Sequence, residues 1–162
     1  MLHDSTIAEL TIAPVSDAEI IRSVAGHPKI WPYISDDFCG KPEDFKPDKD
    51  DLYLGAFAGE TCVGIFAYHA HSQVLAEVHS CVLPEWRGEP AIQAARDSLA
   101  FVFDKTPVKK VITHVPVYNR AALRFAERVG MVKEGFNRAS FMKNGVLQDQ
   151  TVLGILEGEL CR

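Results

Sequence analysis

The residues best placed for chemistry fall in one stretch, Leu75-Ala76-Glu77-Val78-His79-Ser80-Cys81-Val82-Leu83-Pro84-Glu85-Trp86-Arg87-Gly88. Its first half alternates like a β-strand, stops at a proline and turns through Arg-Gly. Side chains on a strand alternate between faces, so Glu77, His79 and Cys81 share one face and Val78, Ser80 and Val82 the other. One face therefore carries a carboxylate, an imidazole and a thiol. Immediately downstream, Ala91, Ala95, Leu99 and Val102 recur at helical spacing. That leaves the amides from Gly88 to Ala91 as the unpaired donors of a new helix, a setting that favours phosphate. The pattern sets a base beside an anion cradle.

The elements that must hold these groups follow from the rest of the chain. Leu10-Thr11-Ile12 is strand-like, and Ser16-Asp17-Ala18-Glu19 reads as a capping box opening a helix that Gly26 closes. His27 to Ile34 reads as a short helical or turning segment with exposed aromatics, and Ser35 to Asp51, rich in Asp, Lys and Pro, as loop. Asp51 to Ala58 and Thr61 to Ala70 have strand composition and join at Gly59-Glu60 as a hairpin. A third strand covers about Val74 to Leu83. After it come a helix from about Gly88 to Asp104, a strand from Lys109 to Val115, a helix from Asn119 to Val129, and two strands near Val132 to Lys143 and Val146 to Leu156. An antiparallel meander followed by strand, helix, strand, helix indicates a mixed sheet flanked by helices.

Composition sets the bounds. At 162 residues the chain is expected to form a single domain, residues 1–162, with a core of its own. With 17 Lys+Arg against 22 Asp+Glu, its net charge of -5 lacks the basic footprint of a nucleic-acid binder. Cys39, Cys62, Cys81 and Cys161 form no C-x-x-C pair, so neither a zinc site nor a disulfide framework is indicated. Charges interrupt every apolar run before membrane-spanning length, and no basic-then-apolar leader opens the chain. The expectation is a cytoplasmic protein with no membrane and no nucleic-acid partner.

Two separated segments carry a family resemblance. The first is Val82-Leu83-Pro84 followed by Arg87-Gly88-Glu89-Pro90-Ala91-Ile92. The second is Val111 to Met131, in which Asn119, Ala122, Gly130 and Met131 fit the pattern N-x-x-[AS]…G-[FM]. Together they resemble the GNAT superfamily of CoA-dependent N-acyltransferases, whose signature is a strand ending in V-x-P, then [QR]-x-x-G-x-[GA], then a helix. Pro90 stands where that signature expects a glycine and Ile92 where it expects a small residue, and a proline has no N–H to offer a phosphate. His27 to Asp37 also looks like GNAT-like proteins of bacteriophage genomes. The resemblance implies an α/β (α+β) fold with a GNAT-like mixed, mostly antiparallel central sheet of six to seven strands and about four helices.

It also implies a reaction: transfer of an acyl group, acetyl above all, from acyl-CoA to an amine of a small molecule or protein. The amine must lose a proton before it attacks, because an ammonium has no lone pair. By resemblance Glu77 occupies the place of the general base, with His79 beside it. Cys81, Val82, Leu83, Arg87, Gly88, Glu89, Pro90, Ala91, Asn119 and Ala122 fall where the family holds acetyl-CoA, and no metal is implied. The tyrosine that protonates the departing thiolate in many members is replaced by Ala126. Cys81 reads more readily as a small buried hydrophobe than as a nucleophile. Asn119 serves as helix N-cap and by resemblance as a partner of the pantetheine arm. Trp31, Tyr33, Trp86, His69 and His71 are candidates for an acceptor groove, and Tyr118 for its wall. A GNAT-fold binding protein that has lost catalysis is the competing reading. A monomer and a homodimer both stay open.

Overall fold

The structure, a computed structural model, describes residues 9–162. The alternating segments become the strands β1 (Thr11–Pro14), β2 (Leu52–Ala58), β3 (Thr61–Ala70), β4 (Leu75–Val82), β5 (Lys110–Pro116), β6 (Val132–Lys143) and β7 (Val146–Leu156). They form one seven-stranded sheet in the order β1-β2-β3-β4-β5-β7-β6. All neighbours run antiparallel except β4 and β5, which are parallel. The mixed, mostly antiparallel sheet expected from the sequence is the one observed.

The apolar periodicity that marks the helices also decides what they cover. Helices α1 (Ala18–Ala25), α2 (Trp31–Ile34), α3 (Glu89–Lys105) and α4 (Arg120–Val129) flank the sheet. On α3 the residues Ala91, Ala95, Leu99 and Val102 are buried together with Phe66, Val78, Val111 and Ile155 of the sheet, forming the larger core with α4. On the opposite face Ile21 and Val24 of α1 join Tyr53, Ile65 and Cys81 in a smaller core. Each large apolar side chain removed from water contributes about 1.5–3 kcal/mol, so the α3 side holds most of the stabilisation. Val78 and Val82 point into the larger core and Cys81 into the smaller one, which puts Glu77 and His79 on the α1 side of β4.

Some boundaries differ from the sequence reading where neighbouring residues compete for one role. The Ser16 to Glu19 capping box does not form. Asp17 is the N-cap of α1 instead, and its carboxylate accepts the Glu19 N–H at 2.9 Å. A carboxylate there also meets the positive end of the helix dipole, which a hydroxyl does less well. Helix α3 starts at Glu89 with Gly88 as its N-cap, and β5 runs one residue later than expected, to Pro116. Gly88 has φ +87 and ψ −142, a backbone conformation that only glycine adopts at low cost. No helix among the described residues is long and apolar enough to cross a membrane. The reading of the chain start as free of a leader concerns residues 1–8, which lie outside the described residues.

Candidate active site

The parallel pair β4 and β5 is the structural origin of the site. It is registered only at Leu75 with Lys110, Ala76 with Val111 and Glu77 with Ile112. Beyond that point the strands separate, and the Thr113 hydroxyl donates to the Val78 carbonyl at 2.9 Å where the ladder ends. The facing backbone edges of β4 after Val78 and of β5 after Thr113 are thus released from sheet pairing. The gap belongs to a cleft of about 640 Å³, a volume ordinary for small-molecule sites. Residues of both alternation phases line it, Ser80 and Val82 as well as His79 and Cys81 on β4, Val115 as well as His114 on β5. A passage lined by both phases runs through the sheet and opens on both faces.

On the α3 side, small residues keep the cleft open and cations surround its mouth. Ala91 and Ala95 of α3 and Ala122 and Ala126 of α4 form its walls. The 3₁₀ turn Pro84–Trp86 leads from β4 through Arg87 to Gly88, whose added side chain would meet only open space. The first amides of a helix have no partner within it, so Gly88, Glu89 and Ala91 present N–H groups there. Pro90 lies in the same first turn, where its missing N–H breaks no helical bond. Arg87, Arg124 and Arg128 line the cleft, and no Asp or Glu among the described residues does. Arg87 is steadied by its Nε–H on the Val82 carbonyl at 3.3 Å, and Arg128 pairs with Glu89.

On the other side of the sheet, Glu77 is the centre of a carboxylate and imidazole cluster. Its Oε1 lies 2.7 Å from His114 Nδ1, and its Oε2 lies 2.8 Å from His71 Nε2. His79 Nε2 is 3.8 Å from the same Oε1. Burial by itself would raise the Glu77 carboxyl, but the hydrogen bonds of His71 and His114, with the charge of His79, outweigh it and hold the group below its usual range. An ionised carboxylate only accepts hydrogen bonds, so both rings donate to it. Nearby, Asp51 Oδ1 meets His69 Nδ1 at 2.7 Å and raises the pKa of that imidazole. No group of three or more His, Cys, Asp or Glu among the described residues has the geometry to hold a metal ion.

The predicted site residues divide between the two faces. His79, Cys81, Val82, Arg87, Gly88 and Ala91 line the cleft, as do Asn119 and Ala122. Leu83, Glu89 and Pro90 stand beside it without lining it, and Glu77 sits behind His114 with its side chain 13% exposed. Asn119 is the N-cap of α4, accepting the Ala122 N–H at 3.2 Å. Burial pushes the Cys81 thiol up to about 12, which leaves it inert as a nucleophile at neutral pH. Of the aromatic and histidine candidates for an acceptor groove, only Tyr33 lines the cleft. Trp31 stacks edge-on against Phe45, Trp86 packs on the larger core, and His69 and His71 lie outside the cleft. Tyr118 does not line it either.

Sequence reasoning missed His114 as a site residue. A signal for it existed: if Glu77 faces Ile112 in a parallel pair, alternation puts His114 on the Glu77 face of β5.

Comparison with known proteins adds three findings. A model of the family described as "Protein of unknown function (DUF2824)" matches residues 15–152. Among curated proteins nothing matches. Solved structures share the fold: spermidine N-acetyltransferase from Vibrio cholerae, in complex with CoA and spermine, superposes with a TM-score of 0.77 at 20% identity, covering 93% of this chain and 97% of that one. A chimera of that enzyme with hSSAT gives a TM-score of 0.77 at 20% identity, over 93% of this chain and 96% of the other. A structure described as "Probable acetyltransferase" gives 0.73 at 19% identity, over 93% and 94%. The fold is that of the GNAT-like acetyltransferases.

Proposed function

The chain belongs to DUF2824, a family of proteins of unknown function, and from that premise we propose that it is a CoA-dependent N-acyltransferase moving an acyl group, acetyl above all, to a primary amine. The observation that carries this reading is the separation of β4 and β5 beyond Glu77 and Ile112, directly beside the N-terminus of α3. Two freed strand edges offer backbone N–H and C=O groups to the amides of a pantetheine arm. The amides of Gly88, Glu89 and Ala91, with Arg87, suit a pyrophosphate. Asn119 and Ala122 belong to the same wall. Acyl-CoA supplies an activated thioester; the chain supplies alignment, a dry passage and a proton acceptor in the Glu77 cluster.

The acceptor side has its own chemistry. His79 and His114 share it with Tyr33 and Ile34 of α2, Phe141 of β6 and Gln150 of β7. In the neighbouring cluster Glu77 is bonded to two histidines and Asp51 to His69. The cleft lining offers a polyammonium ion such as spermidine, which the Vibrio enzyme's name specifies, no carboxylate among the described residues, so the acceptor we propose is a single amine on an apolar or aromatic body, of a small molecule or a polypeptide. The chain works as one cytoplasmic domain.

Titration calorimetry with acetyl-CoA tests the assignment. Binding is expected, and Arg87→Glu should weaken it about tenfold or more by setting a like charge beside phosphate. Silence at millimolar CoA would remove the cofactor assignment. Ala126, lining the cleft where many relatives carry an acid, favours one second reading, a protein that binds CoA without transfer. Binding with no thiol release across an amine panel would select it.

A further inference from the structure

We propose that His114 is the base that takes the proton from the acceptor amine, with Glu77 and His71 as the positioning residues that fix its ring. The inference rests on the acyltransferase reading. His114 lines the cleft and Glu77 does not. The Nδ1 of His114 is committed to Glu77 Oε1 at 2.7 Å, so its proton sits on Nδ1 and the lone pair on Nε2, which has no hydrogen-bond partner among the described residues. Glu77 cannot rotate to meet a substrate without giving up this bond or the one from His71 at 2.8 Å. The carboxylate thus locks one tautomer and stabilises the imidazolium that forms, while the second imidazole locks the carboxylate.

His79 is the competing base. Its ring is 60% exposed and 3.8 Å from Glu77 Oε1, beyond a hydrogen bond, so nothing fixes its tautomer. The titratable groups around His114 are Glu77 and His79 of β4, His71 at the β3 to β4 connection and Tyr33 of α2 across the cleft. Asp51 is bound to His69 and Lys110 to Glu134 at 2.7 Å. In the reaction the ammonium gives one proton to His114 Nε2, and the free amine attacks the thioester carbonyl. The C–N bond forms, the C–S bond breaks, and the second nitrogen proton ends on the thiolate. His114 returns its proton to water, so each turnover releases one.

The test joins spectroscopy and kinetics on the whole protein. A long-range ¹H–¹⁵N spectrum at neutral pH should find His114 protonated at Nδ1 and bare at Nε2, and Glu77→Gln should mix the tautomers. Thiol release from acetyl-CoA with tyramine, ethanolamine and spermidine should fall about 10²-fold or more in kcat in His114→Ala, with CoA affinity unchanged, and should fall less in His79→Ala than in His114→Ala. Glu77→Gln should lower kcat without changing CoA affinity. The rate should rise with pH as the base loses its proton, and His114→Ala should remove that rise. Activity retained in His114→Ala but lost in His79→Ala, or a proton found on Nε2, overturns the assignment while CoA binding stands. Absence of CoA binding in the wild type instead overturns the acyltransferase reading and the base together.

Discussion

A carboxylate held between two imidazoles registers in stability as well as in any chemistry. Glu77 titrates lower in the folded chain than at the unfolded value of about 4.3. It therefore stabilises the fold in full above that value, and the contribution is lost as pH falls through the folded pKa. Wild type should melt above Glu77→Gln at pH 7, and the gap should close as pH falls below the unfolded value of about 4.3; thermal melts of both proteins down through that pH check it. A gap that stays constant would mean that His71 and His114 do not favour the ionised form. At this scale the sequence is legible only in part. Glu77 and His79 declare themselves by alternation within one strand. His114 lies 37 residues away and His71 six, and they meet Glu77 only through a parallel register and a bent connection that no local pattern specifies. Cys81 was readable for a different reason, since an isolated apolar-facing thiol has few other fates.

Among the elements, the turn from β4 into α3 carries the sharpest question. Pro90 departs from the signature of the GNAT superfamily that the sequence resembles, yet it stands in the first turn of α3, where proline fits the backbone and deprives the helix of nothing. What it withholds is one outward amide. Pro90→Ala should tighten CoA binding by about 1 kcal/mol, roughly fivefold, if that amide would reach phosphate. Calorimetry on the two proteins decides, and an unchanged affinity would assign the pyrophosphate to Arg87 and the remaining amides. Strand and helix boundaries were legible where apolar alternation is sustained: β3, β6 and β7 run as the sequence indicates. Caps were less so, because Ser16 and Asp17 are both competent and the choice between them depends on the path of the incoming chain. The order that places β7 inside β6 was not legible, since long-range pairing leaves no local trace.

For the molecule as a whole, α2 and the turn between β6 and β7 are fastened across the acceptor side of the cleft. Asp37 accepts the Asn144 N–H at 2.8 Å and the Gly145 N–H at 2.7 Å, and these bonds hold its carboxyl below the usual range. Lys143 Nζ donates to the Pro32 and Ser35 carbonyls, each at 2.7 Å. Tyr33 and Ile34 on one side and Phe141 on the other owe their spacing to this clasp. Asp37→Ala should speed hydrogen exchange at Asn144 and Gly145 by roughly tenfold or more and raise the acceptor KM without altering CoA affinity. Unaltered exchange would mean that Lys143 and the main-chain bond from the Asp37 N–H to the Met142 carbonyl at 3.0 Å hold the clasp without the carboxylate. The overall charge of -5 concealed a passage lined by arginines and, among the described residues, free of carboxylates. Net charge averages over a surface that the fold sorts by sign. The strand order bears on synthesis too. β5 has three paired positions with β4 and seven with β7, and β7 is the last long strand of the chain. A nascent polypeptide that has emerged from the ribosome as far as Lys143 carries an inner strand with one side bare, a template for a neighbouring chain on the same message. The pace of translation across the codons of β7 then sets how long that side stays open.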